Sequence, residues 1–315
     1  MRDVDMAVKL VAVTTVHETI RRSEDCLRAA DGSELFRRAW LPAAPRRVLV
    51  VVHGFGEHSG RYEEFASWFA RRGFAVHAAD LRGHGRTPGR RGHVADFELL
   101  LDDLDGLLAF VSQQHPGLAT TLLGHSMGGL LTTAFVCERQ PPIERFVVSG
   151  PALALSPDLS RTRMTIARLL RRVLPRLSME AGLDSAGLSR DPEVVRRYLE
   201  DPLVHGRISA AMAAGMLDAQ IRTAASANLV SVPMLLLHGE SDPLCLVEGS
   251  RAFFEGLPRQ RVAGSRLRTY PGLRHEIFNE PEKLQIYQDL LDWLDEPVAA
   301  RMPERVEPAR RVGDR

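Results

Sequence analysis

No stretch limits the folds open to this chain more than Thr121-Leu-Leu-Gly-His-Ser126-Met-Gly-Gly-Leu-Leu131. Thr121 to Leu123 reads as a short apolar strand and Leu130 to Glu138 as a helix. Between them lies Gly124-His125-Ser126-Met127-Gly128, a G-x-S-x-G pattern. Glycines on both sides of a central serine let the chain turn sharply from strand to helix. Bulkier residues at 124 or 128 would collide with neighbouring backbone. The helix that follows points its free N–H groups at any oxyanion developing beside the serine. A glycine-rich turn with an exposed serine fits the same pattern, so the rest of the chain must decide.

Upstream, Arg22 to Ala29 and Glu34 to Trp40 flank the turn signal Asp31-Gly32 and read as a hairpin. Residues 1–20 are weakly patterned, an added edge strand or a loose lead-in. Arg47 to Val52 is a continuous β-branched run, as expected of a parallel strand covered by helices on both faces. It empties into His53-Gly-Phe-Gly-Glu-His-Ser-Gly-Arg-Tyr62, after which Tyr62 to Arg72 is helical. Phe74 to Ala79 is a strand ending at Asp80-Leu-Arg-Gly-His-Gly85. Asp96 to Gln114 is an amphipathic helix with Asp96 as its cap, and Arg145 to Ser149 is a further strand. This alternation predicts a doubly wound α/β domain, whose ligands sit at strand carboxyl ends. His53 to Gly56, Asp80 and Ser126 fall at such ends, which points to a shared site.

From Pro151 to about Asn228 strand signals vanish, and Arg161–Leu174, Pro192–Leu199 and Ser209–Thr223 read as helices. Strand–helix patterning resumes with Met234 to His238, Ser250 to Leu257, Arg266 to Tyr270 and a helix from Pro281 to Leu294. The expected organisation is a core of residues 1–150 and 229–297, a helical cap inserted at 151–228, and a disordered tail at 298–315.

A serine hydroxyl becomes a nucleophile only when a base takes its proton, and the base needs an orienting carboxylate. Asp242, in the loop after one late strand, and His275, after the next, supply both in the order Ser–Asp–His that this fold class uses. Each alone has a plainer reading, Asp242-Pro243 as a turn initiator and His275 as a surface histidine. Together they make Ser126, Asp242 and His275 the candidate triad. The oxyanion donors are expected to be the backbone N–H groups of Met127 and Phe55. His53 and Gly54 shape the second loop.

These motifs, with Ser149-Gly-Pro151, Val173-Leu-Pro-Arg-Leu-Ser178, Leu188-Ser-Arg190, Tyr198-Leu-Glu-Asp-Pro-Leu203, Leu236-Leu-His-Gly-Glu-Ser-Asp242 and Tyr270-Pro-Gly-Leu-Arg-His275, resemble the monoacylglycerol lipase / lysophospholipase branch of the serine α/β-hydrolases. The resemblance covers most of residues 47–280. It implies the α/β-hydrolase fold, a mostly parallel sheet flanked by helices with an inserted helical cap. It also implies hydrolysis of monoacylglycerols to fatty acid and glycerol with no metal or cofactor. Glu57, Arg61 and Tyr198 stand where the family pattern suggests a polar pocket for the glycerol end; as isolated residues they would read as surface charges and a packed tyrosine. Some members carry a second histidine three residues past the catalytic one, where this chain has Phe278. The alternative activities are those of a lysophospholipase, a general carboxylesterase or an acyltransferase using the same triad. A dehalogenase or epoxide hydrolase would need aspartate at 126, and a binding module without turnover would be favoured by an incomplete triad.

Arg161 to Arg176 interleaves arginines with Met164, Ile166, Leu169, Leu170, Val173 and Leu174. Such a helix either lies transiently on an anionic membrane surface or packs its apolar side on the core with the arginines solvated. Cys245, three residues past Asp242, reads as a buried inert thiol. A formal net charge of +1 and no basic patch with interleaved aromatics exclude a nucleic-acid partner. Three widely spaced cysteines, a poor secretory signal and no long apolar run point to a cytoplasmic protein, peripheral at a membrane where that helix lies on one, of unassigned oligomeric state.

Overall fold

Val48 to Val52 carry no polar side chain to offer water, so this segment is stable only where both its faces are covered. The computed structural model, which describes residues 20–154 and 161–298, puts it at the centre of an eight-stranded sheet. The expected lead-in up to residue 19 and all of the expected tail but Val298 lie outside the described residues.

In chain order the first half forms β1 (Arg21–Arg28), β2 (Glu34–Leu41), β3 (Arg47–Val52), α1 (Glu63–Ala70), β4 (Phe74–Ala79), α2 (Glu98–Gln114), β5 (Thr120–His125), α3 (Met127–Arg139) and β6 (Arg145–Ser149). An insertion follows: α4 (Arg161–Val173), β7 (Ser178–Glu180), α5 (Pro192–Glu200), β8 (Arg207–Ser209) and α6 (Ala210–Ala224). The sheet then resumes with β9 (Met234–Gly239), α7 (Val247–Glu255), β10 (Arg266–Tyr270) and α8 (Lys283–Asp295). Strand order is β1-β2-β4-β3-β5-β6-β9-β10, antiparallel across β1-β2-β4 and parallel from β4 onward.

The period of two in each strand divides the core. Val48, Val50 and Val52 face one side with Leu122, Phe146 and Leu236, where α2 and α3 pack through Leu104 and Phe135. Leu49 and Val51 face the other with Leu123, Val147 and Leu235, where α1 and α8 contribute Phe69 and Tyr287. Each such aliphatic or aromatic residue taken from water stabilises the fold by about 1.5–3 kcal/mol.

Several local expectations change. The segment before α1 is a 3-10 turn over Ser59–Tyr62. Helix α2 starts at Glu98, with Asp96 Oδ1 accepting the Glu98 N–H at 3.2 Å, so the cap acts one residue ahead of the first turn. The insertion is not purely helical, because β7 and β8 pair as a small antiparallel ribbon. Three-residue strands are too short to leave an alternating pattern in the sequence.

Candidate active site

The turn after β5 is tight enough to leave no room for side chains. A Cβ on Gly124 would stand 2.2 Å from Gly128 O, and one on Gly128 would stand 2.2 Å from Val52 O. Both distances are far inside contact, so glycine is required at each place, as the sequence pattern implies. Ser126 itself sits at φ 55°, ψ −118°, a conformation that costs a non-glycine residue about 1–3 kcal/mol. The strain is held by bonds on both sides: Ser126 N–H donates to Ser149 O at 3.0 Å, and Ala152 N–H donates to Ser126 O at 3.1 Å. Ser126 thereby becomes the residue preceding the first turn of α3.

Asp242 and His275 leave the ends of β9 and β10, which run parallel and adjacent. His275 Nδ1 lies 2.7 Å from Asp242 Oδ2, and because a carboxylate only accepts, the ring carries its proton on Nδ1. The other carboxylate oxygen accepts from Leu244 N–H at 2.8 Å and Cys245 N–H at 2.9 Å. His238 approaches Oδ2 at 3.2 Å and is itself fixed by Ser250 and Cys245 O. Burial alone would raise the Asp242 pKa. Hydrogen bonds from His238 and His275 outweigh it and hold the carboxyl well below the usual carboxylate range. Ser126, His275 and the Cys245 thiol line one cavity. Burial, reinforced by the Asp242 charge, pushes that thiol far above its ordinary range, so Cys245 is an unreactive wall of the site.

The loop after β3 is anchored from beneath. His53 Nε2 accepts the Leu81 N–H at 2.9 Å, which leaves Nδ1 to donate to Gly54 O at 2.7 Å. Burial lowers the His53 pKa, so this ring is a neutral brace rather than a base. Gly54 N–H donates to Glu57 Oε1 at 2.7 Å. Phe55 follows, half-buried, its ring packed edge-on against His84 and His205. Phe55 and Met127 line the same cavity as Ser126.

That cavity, of about 260 Å³, has an apolar lining that includes Ala152, Leu183, Ile208, Met216 and Leu244. At its polar end Glu57, Arg61 and Tyr198 come together as the motif positions suggested: Arg61 Nη1 donates to Glu57 Oε2 at 2.8 Å, and its guanidinium lies 4.8 Å over the Tyr198 ring. Burial pushes the Tyr198 hydroxyl up to about 12.

Three neighbours of the site escaped the sequence reading. Glu276 joins the polar end, His238 supports Asp242, and the His125 ring lies 4.6 Å from that of His275. Glu276 and His125 each adjoin a triad residue in sequence, the one signal that could have marked them. Asp80, by contrast, does not line the site. It is fully buried and accepts from Ser59 N–H, Ser59 Oγ and Arg86 N–H, tying two loops together. Phe278 is also outside the cavity, packed 4.9 Å from Phe65 in the core.

Of the two orientations the pattern of α4 allowed, its apolar side is not packed on the core. Ile166, Leu169, Val173 and Leu174 are more than half exposed, whereas Arg168 and Arg171 turn toward Asp218 on α6 and Asp96. No helix among the described residues is long and apolar enough to cross a membrane.

A family model described as serine aminopeptidase, S33 matches residues 43–282. A monoacylglycerol lipase of Mycolicibacterium smegmatis is 36% identical over 275 residues, 87% of this chain and 97% of that one. A monoglyceride lipase of Homo sapiens is 34% identical over 275 residues, 86% and 89% of the two chains. The crystal structure of Paleococcus ferrophilus monoacylglycerol lipase superposes with a TM-score of 0.76 at 38% identity, covering 83% of this chain and 98% of that one.

Proposed function

This chain belongs to the serine aminopeptidase S33 family, among its monoacylglycerol lipase-like α/β-hydrolases, and on that premise we propose that Ser126, His275 and Asp242 cleave the ester bond of a monoacylglycerol to fatty acid and glycerol. The observation that carries the reading is one cavity that Ser126 and His275 share with apolar side chains, fit for a single acyl chain, and with the Glu57, Arg61 and Tyr198 cluster, fit for a polyol.

As the substrate seats, Ser126 Oγ turns to His275 Nε2, a contact that tightens on substrate binding. His275 Nε2 takes the hydroxyl proton while Oγ attacks the ester carbonyl, and Asp242 holds Nδ1–H in place and stabilises the imidazolium. The N–H groups of Phe55 and Met127 receive the oxyanion. Collapse of the tetrahedral intermediate breaks the bond to glycerol oxygen, which leaves with the proton from His275. Water then attacks the acyl-serine by the same steps and releases the fatty acid. Glu57, Arg61 and Tyr198 hold the leaving glycerol. Residues 151–228 act as a cap over the site on a core of 1–150 and 229–297. The outward apolar residues of α4, interleaved with exposed Arg172 and Arg176, support contact with an anionic lipid surface from which substrate is drawn.

Fatty-acid release from a medium-chain monoacylglycerol, the matching lysophospholipid and the diacylglycerol tests the reading, with wild type beside Ser126→Ala. The monoacylglycerol is expected to be turned over best, with a loss on the order of 10⁴-fold or more in the variant. Turnover of p-nitrophenyl esters with none of these lipids would leave the triad standing and remove the substrate assignment.

A further inference from the structure

Among the described residues that line the cavity Arg61 is the only arginine or lysine, and two buried carboxylates hold it. Glu276 grips it with both oxygens, Nη1 to Oε1 at 2.6 Å and Nη2 to Oε2 at 2.8 Å, while Nη1 also serves Glu57 Oε2. Three of the five guanidinium N–H bonds are spent on carboxylates. The other ligands of the two acids are neutral: Tyr62 OH at 2.9 Å and Gly54 N–H on Glu57 Oε1, and Asn279 Nδ2 at 2.8 Å on Glu276 Oε2. For both acids burial acts to raise the pKa and is overridden, chiefly by the charge of Arg61, so both stay ionised at neutral pH. His125, a ring close enough to the two acids to offset the surplus, is pushed down to about 4, first by burial and then by the neighbouring His275, and is uncharged. The polar end therefore carries two negative charges against one positive.

We infer that Glu276 is a specificity-determining residue: by overcompensating Arg61 at the cavity's polar end, it makes the site accept esters of an uncharged polyol and reject those whose head group carries a phosphate or another anion. The inference rests on the esterase reading above and deepens it. Without Glu276 the polar end would hold one carboxylate and one guanidinium, a balanced pair with Arg61 free to take a phosphate bidentately. With Glu276 in place a phosphate meets a surplus negative charge in a region shielded from water, where like charges repel strongly. A polyol meets the opposite: its hydroxyls donate, and Glu57 Oε2 and Glu276 Oε1, each accepting from Arg61 Nη1, have acceptor capacity left. Glu276 was not legible as such a residue because its role depends on the two loops being side by side, 215 residues apart from Arg61 in the chain.

The test is a series of esters with one acyl chain and three head groups: glycerol (neutral), glycerophosphoglycerol (one negative charge) and glycerol 3-phosphate (about two). Fatty-acid release is measured as kcat/KM for wild type and Glu276→Gln, the variant that keeps an oxygen for Arg61 and removes only charge. For wild type, kcat/KM is expected to fall at each added charge. In Glu276→Gln the ratio of neutral to doubly charged substrate is expected to shrink roughly tenfold or more. Because a ratio between substrates is read, any general loss of rate in the variant cancels. An unchanged ratio in Glu276→Gln, or a wild type that turns over the phosphate ester as well as the neutral one, would overturn the inference. Should Glu276→Gln not fold, the wild-type series decides alone. Failure of the underlying reading looks different: wild type then releases acid from none of the three esters, glycerol included.

Discussion

The sheet and the insertion are built on opposite terms. Every residue of β4, β6 and β9 is buried, and β3 and β5 each leave only their first residue partly open. In the insertion α5 buries no residue and α4 turns Ile166, Leu169 and Val173 outward, while α6 sends side chains such as Met212 and Ala219 into the main core. What ties the remainder down is polar. His205 N–H donates to Gly56 O at 2.9 Å, Ser209 N–H to Gly92 O at 2.9 Å, and Leu188 O accepts Glu276 N–H at 2.8 Å. The difference separates two jobs. Dense packing holds Ser126, Asp242 and His275 in fixed relation at the ends of their strands, while a segment held by a few net-weak hydrogen bonds can shift without disturbing them.

If the sheet alone sets the chemistry, the largest effect should come from a change that leaves its shape intact. Asp242→Asn is nearly isosteric, yet its amide cannot replace a carboxylate that accepts from His275, His238 and two backbone N–H groups at once. An amide N–H facing His275 Nδ1 forces the other tautomer and leaves Nε2 unable to take the serine proton. A fall in kcat on the order of 10⁴-fold, with KM little changed, is expected in steady-state kinetics on a monoacylglycerol. A loss under tenfold would mean that packing, not the carboxylate, orients the base.

A smaller effect separates the regions by acid. Burial, with Arg37 and His115 nearby, pushes His77 in β4 down to about 3, and His125 stands at about 4. Both folded values lie below the ordinary histidine value of about 6.5. Below that pH the unfolded chain binds protons that the folded chain refuses, so stability is full above about 6.5. It falls as the pH drops toward 4 for His125 and 3 for His77. Each group contributes a slope of about 1.4 kcal/mol per pH unit within its window. Urea midpoints measured from pH 8 to pH 4 should therefore be level above 7 and decline below 6.5. A midpoint level down to pH 5 would show that these rings are hydrated.

The same division explains what could be read from the sequence. The sheet's order of strands and helices was legible because buried strands must be continuously apolar, and Gly124 and Gly128 were legible because only glycine clears the backbone oxygens there. The Ser126, Asp242 and His275 placements followed from strand ends. The insertion was less legible: β7 and β8 are too short to have a period, and α4 has an amphipathic pattern that says nothing about which side faces out. The pattern for α4 allowed packing on the core or contact with a surface, and the ion pairs of Arg168 and Arg171 with Asp218 and Asp96 select the orientation. Asp80 misled because a carboxylate at a strand end serves a loop as readily as a site. Glu276 was missed because it acts through Arg61, 215 residues away in the chain, and His238 because its contact with Asp242, four residues on, forms only where the loop after β9 turns back.

The smallest expected effect sharpens the comparison from the cap side. Leu169 and Val173 are 59% and 67% exposed on α4, so replacing both by serine removes little buried area. Each change should alter unfolding free energy by no more than about 0.5 kcal/mol. Phe135→Ala, in the fully buried core, should by contrast cost about 3–5 kcal/mol. The same pair of serines should reduce co-sedimentation with anionic phospholipid vesicles several-fold, because two apolar side chains are withdrawn from the lipid while Arg172 and Arg176 remain. If Leu169→Ser with Val173→Ser instead lowers stability by several kcal/mol and leaves sedimentation unaltered, then α4 packs against protein in solution. The insertion would then be held by the same means as the sheet, and the cap's freedom to yield to a lipid would have to come from α5, which lacks any buried residue.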